Sequence, residues 1–255
     1  MDDSSKPAAQ QIHEALERVF KLRQLRAHNP ALVQASVAVK RFQALRFKAT
    51  YSDLLSHVRY QQAAQFFLQE LYSEADYAER DQQFARIANA IARIFPKAVA
   101  ETAAALARVH ALTEALDDQM ARAWLVQSSS TTHAINGMDC ARYLRCWRAV
   151  GDEPSRLEQL EVVLQLGREL DRLTRKPGLR TLLKMMRRPA DAAGLSSLQR
   201  FLESGFDAFV AMRGASKFLK TIDERERAWI RALFTEDTVA CETRLAHLLA
   251  AAGPH

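Results

Sequence analysis

The densest concentration of reactive side chains in this sequence is a run of cations. Arg168, Arg172, Arg175 and Lys176 recur at helical spacing on one face, and after a Pro177-Gly178 break Arg180, Lys184, Arg187 and Arg188 share another. Eight cations offset only by Glu169 and Asp171 could follow a phosphate backbone or clamp an acidic protein partner. The plainer reading is a solvated face whose arginines pair with acids of the 61–120 segment. Lys40, Arg41 and Lys48 form a second basic stripe, where Phe42 and Phe47 read as core and not as base-stacking platforms. His110 and Glu114 stand one helical turn apart, a spacing that suits an oriented base or half of a metal site. With no third ligand or nucleophile in view, a structural hydrogen bond is the simpler account. A haem reading would take His110 as axial ligand and needs a distal pocket that spacing alone does not supply. No catalytic or metal-ligating set is assigned and no cofactor is expected, because phosphate loops, dinucleotide fingerprints, nucleophile elbows and zinc signatures are all missing.

A candidate pocket comes from Phe66, Phe67, Glu70 and Tyr72. Ala64, Phe67, Leu68 and Leu71 fall on one helical face, and Phe66 lies one turn before Glu70 on the neighbouring one. The three aromatic rings would form the walls and Glu70 the polar group; the competing account is an aromatic core helix with a salt-bridged glutamate. The string Phe66-Phe67-Leu68-Gln69-Glu70-Leu71-Tyr72 resembles the F-F-L-E-E-L-Y motif of a family of uncharacterised proteobacterial proteins. The resemblance extends through Asp81, Phe84, Ile87, Phe95 and Pro96 and into Leu198–Phe206. Gln69 replaces the first glutamate of that motif, which puts in doubt any chemistry that glutamate carries. What the resemblance implies is a bacterial, intracellular helical protein.

Positioning these groups is the task of helices. Alanine and leucine dominate, with only 8 Gly and 7 Pro in 255 residues, and no strand-like alternation appears. The pattern predicts helices over about 8–27, 30–56, 58–71, 77–94 and 97–126. Ser73-Glu74-Ala75-Asp76 reads as a capping signal, and Phe84, Ile87, Ile91 and Ile94 as an apolar stripe. Further helices are predicted over about 138–150, 154–173, 179–188, 196–213, 215–235 and 238–251, with Pro189–Gly194 as a turn. Ser155-x-x-Glu158 and Ser196-x-x-Gln199 look like capping boxes. Leu157, Leu160 and Leu164 mark one stripe of the 154–173 helix, and Val163, Leu166, Leu170 and Leu173 a second. That helix is therefore expected to be central and packed on both flanks. Glu226 falls on the apolar register between Ile222 and Trp229, so it should be partly buried against an arginine, Arg200 or Arg231 being the local choices.

The expected fold is an all-α antiparallel bundle of about ten helices. An N-terminal helical subdomain (1–127), a linker (128–137) and a C-terminal subdomain (138–255) are expected, packing together as one domain or separately. Net charge is +6, segregated into residues 1–60 (+5) and 121–190 (+6). That permits nucleic acid as a partner without requiring it. Cys140, Cys146 and Cys241 are odd in number and lack paired spacing. The first residues are acidic and polar, and no apolar run reaches the roughly 18–20 residues of a membrane span. A cytoplasmic protein is expected, with a non-enzymatic binding or regulatory role leading, nucleic-acid binding through the arginine faces as the alternative, and a small-ligand or haem sensor or enzyme third. Oligomeric state is left open.

Overall fold

A computed structural model describes residues 6–70, 77–94, 97–127 and 137–251, all helix and connection with no strand among them. Local signals set the ends. The Asn29 side chain accepts from the Leu32 N–H at 3.1 Å and Pro30 occupies the first turn, so α1 (Ala8–Ala27) gives way to α2 (Pro30–Thr50). The short α3 (Ser52–Ser56) and α4 (Gln61–Glu70) follow, then α5 (Ala78–Ile94) and α6 (Lys97–Val126). Gly151, at φ +66°, ends α7 (Gly137–Val150) in the left-handed conformation that glycine adopts without strain. Asp152 then caps α8 (Glu153–Thr174) by accepting from Ser155 N–H. Ser155 is thus the donor to a cap one turn upstream, and the Ser155-x-x-Glu158 box does not form. The remaining helices are α9 (Leu179–Met185), α10 (Arg187–Ala192), α11 (Ser196–Met212), α12 (Ser216–Thr235) and α13 (Thr238–Ala251). Residues 189–192, expected in a turn, belong instead to the short helix α10. At α11 the Ser196 hydroxyl donates to Asp191 Oδ1 and Gln199 reaches Leu183, so that box is not formed either. The Ser73–Asp76 signal and the 128–136 part of the linker lie outside the described residues.

The central helix is α6, which packs against α1, α2, α5, α7 and α8. Its small buried residues Ala100, Ala104, Ala107, Ala111 and Ala121 let neighbours approach from several sides. In turn α8 packs on α6, α11 and α12, while α11 covers α4 and α5. One apolar cluster runs from Ile12 to Leu245 and draws on both the 1–127 and 138–255 segments. Phe42 stacks on Tyr143 at 4.2 Å between centroids, and Phe66 meets Phe201 at 5.5 Å. A Cβ on Gly205 would come within 2.9 Å of the Phe66 ring, so the absent side chain is what lets α11 close on α4.

Candidate functional site

Two adjoining cavities, both partly open to solvent, lie between the helices, and α6 and α8 line both. The first, about 420 Å³, is almost wholly apolar. Val99, Ala103 and Leu106 of α6 face Val163, Leu166, Leu170 and Leu173 of α8 across it. The second stripe of α8, expected from sequence to be a packed flank, is thus a cavity wall. Gly167, on the same helix, is approached by the Leu219 side chain. Leu179 and Leu183 of α9, Met186, and Pro189 and Ala190 of α10 close one side. This cover is held at its edges: Gln199 Nε2 donates to the Leu183 carbonyl at 2.7 Å and Arg86 to the Ala193 carbonyl at 2.9 Å.

The second cavity, about 110 Å³, is the more polar chamber of the two, lined by charged and apolar side chains together. Phe67, Phe84, Leu106, Val109, Val163, Leu198 and Phe201 line both spaces and form the partition. Beyond it the lining changes abruptly. Lys40 Nζ lies 2.6 Å from Glu114 Oε1, and Arg26 binds Glu114 and Asp118 together at 3.3 and 3.4 Å. Asp81 sits between Arg23 and His110, each at 2.8 Å. Arg46 grips Glu226 with both Nη atoms, at 3.2 and 2.9 Å, and the Tyr51 hydroxyl donates to the same carboxylate at 2.8 Å. All four of these carboxylates, and Asp117 with them, are buried. Burial alone would raise the Glu114 carboxyl, but Lys40, Arg23 and Arg26 outweigh it and hold the group at about 2. Asp81 follows the same logic: burial works upward, and the hydrogen bond and charge of His110 with Arg23 and Arg80 bring it below the usual range. Asp117 ends the other way. Its burial outweighs the pull of Lys40 and Arg156 and raises it, with Gln43 Nε2 donating to Oδ1 at 3.1 Å.

The sequence-derived residues distribute unevenly over this geometry. Phe66 and Phe67 line the apolar cavity, Phe67 and Glu70 the polar one, and Glu70 pairs with Arg80 at 2.9 Å; Tyr72 lies outside the described residues. His110 and Glu114 both face the polar chamber but bind different partners, Asp81 and Lys40. Among the described residues no three His, Cys, Asp or Glu side chains are grouped to hold a metal ion. Of the basic face, Arg168 pairs with Glu161, Arg172 with Glu169, Arg175 with Asp171, Arg180 with Asp207 and Arg187 with Glu203. The partners are acids of residues 161–207 and not of the 61–120 segment, whose buried acids turn inward to Arg23, Arg26 and Lys40. Lys176, Lys184 and Arg188 are exposed. Glu226 is buried as its register required, but its arginine is Arg46, 180 residues away in sequence, because α2 and not the local turn faces it. The chamber itself went unread. Its one sequence signal was Glu114, Asp117 and Asp118 crowded beside the apolar seam of α6.

Among the described residues no helix is long and apolar enough to cross a membrane. The chain matches no functionally curated protein and no solved structure. Residues 22–240 match a family model described as a domain of unknown function (DUF8198), a span holding every cavity-lining residue except Leu16, and the chain therefore belongs to that family.

Proposed function

We propose that this protein is a non-enzymatic binding module for a small amphipathic molecule, its apolar chain lying in the 420 Å³ cavity and its polar end at the partition toward Arg80 and His110. The carrying observation is that cavity. Its volume falls inside the roughly 300–1,000 Å³ range of ligand pockets. At about 30 Å³ per water-sized group the space suits a chain of roughly a dozen carbons. The 1–127 and 138–255 segments both supply walls, and the reading treats these subdomains as one binding unit. The likeness of the Phe66–Tyr72 string to the F-F-L-E-E-L-Y motif and the three buried, unbridged cysteines support a bacterial cytoplasmic setting. The nucleic-acid alternative has less behind it, because five arginines of the basic face already hold carboxylate partners.

The test is displacement of a fluorescent apolar probe, anilinonaphthalene sulfonate, by dodecanol and dodecanoate. Saturable displacement by either is expected with the parent protein, and Ala103→Phe, which fills the cavity from α6, should abolish it while leaving melting temperature unchanged or higher. Absence of saturable binding, or binding indifferent to Ala103→Phe, would overturn the proposal.

A further inference from the structure

In the lining of the polar chamber, α7 presents two hydrogen-bond donors one turn apart. The Tyr143 hydroxyl and the Trp147 indole Nε1 are buried, both residues line the chamber, and among the described residues neither atom has a hydrogen-bond partner. Gln43 lies close enough to influence the Tyr143 phenol without meeting hydrogen-bond geometry. Buried donors are almost always satisfied, and two orphans lining one chamber point to an acceptor that belongs between them. The two rings are neighbours, their centroids 5.9 Å apart.

The surroundings choose the acceptor. The Arg156 guanidinium stacks 4.2 Å from the Trp147 ring centre, and at Tyr143 the positive potential of Arg46 and Arg156 outweighs the opposing charge of Asp117. A cationic ligand would need a carboxylate with spare capacity, whereas Glu226 accepts from Arg46 and Tyr51, Glu114 from Lys40 and Arg26, and Asp117, pushed toward its neutral form by burial, from Gln43. A phosphate dianion would ask for more donors than two uncharged ones. The whole chamber, about 110 Å³, holds the equivalent of three or four waters at about 30 Å³ each. We infer that the α7 side of the polar chamber is a binding site for a small carboxylate, whose two oxygens accept from Tyr143 Oη and Trp147 Nε1 beside Arg156. The site is separate from the apolar cavity and stands whether or not a chain-bearing ligand occupies that cavity.

The probe is sodium butanoate, read by proton–nitrogen correlation spectra of the full chain. The protein has three tryptophans, and Trp147→Phe identifies which indole signal belongs to this site. Butanoate should shift that signal saturably, while sodium chloride, butanamide and butylammonium leave it in place. Tyr143→Phe should weaken butanoate about ten-fold or more. Without ligand the same variant should melt at or above the parent temperature, since it deletes an unpaired buried hydroxyl; a structural hydrogen bond would give the opposite. Equal responses to butanoate and butanamide, or none to either, would overturn the inference, the second leaving Tyr143 and Trp147 to an ordinary buried water. Neither result touches the dodecanol displacement that tests the apolar cavity.

Discussion

Glu226→Gln is the sharpest test of the buried ionic network. Glu226, Arg46 and Tyr51 are 7, 4 and 0 % exposed, and the carboxylate takes two hydrogen bonds from Arg46 and one from Tyr51. The substitution keeps the shape and one acceptor, removes the charge, and turns an amide N–H₂ toward one arm of the guanidinium. Arg46 is then a buried cation without its countercharge, a loss of about 3–5 kcal/mol. For a chain of this length, at about 2–4 °C per kcal/mol, the melting temperature should fall by roughly 6–20 °C. Molar salt should change the difference little, because a buried pair is poorly screened. The matching control is Arg46→Met with Glu226→Leu. Removing both charges together should recover most of the loss, since apolar replacement of a buried pair is often close to neutral. Thermal melts of the parent, Arg46→Met, Glu226→Leu and the double variant form a double-mutant cycle, and a large coupling energy is expected. A Glu226→Gln variant that melts with the parent, or a double variant whose loss is the plain sum of the singles, would refute the reasoning.

Two further predictions use the opposite signs of neighbouring carboxyls. Glu114, held at about 2 against an ordinary 4.5, contributes stability that is complete above pH 4.5 and drains away as pH falls toward 2; at 1.36 kcal/mol per pKa unit the contribution is roughly 3 kcal/mol. Urea unfolding across that range should show the acid limb in the parent and its loss in Glu114→Gln; an unchanged limb in the variant would assign acid unfolding to other groups. Asp117, raised by burial, works the other way: its charged form costs native stability at neutral pH, and the cost is relieved as pH falls. Asp117→Asn keeps an acceptor for Gln43, so it should equal or exceed the parent in stability at pH 7, with the advantage shrinking by pH 4. A clear loss at pH 7 would mean that the charged form is required.

The helices were legible because helix formation is decided locally. Spacing of apolar residues, Asn29-Pro30 and the proline and glycine breaks placed Ala8–Ala27 and Lys97–Val126 where the structure has them. Burial of Glu226 was legible for the same reason, since its position in the three-four register is a local property. Its partner was not, because Arg46 arrives only when α2 packs against the same interior. The same separation explains the cavities. A stripe such as Val163, Leu166, Leu170 and Leu173 declares that a helix face avoids water, and it is silent on whether a neighbour fills the space opposite. That depends on how α6, α8 and α11 are spaced and where α9 and α10 come to rest. Likewise Tyr143 and Trp147 carry no sequence mark distinguishing them from core aromatics; only the arrangement of α2, α6, α8 and α12 around α7 decides which of their polar atoms meet a partner and which face a chamber.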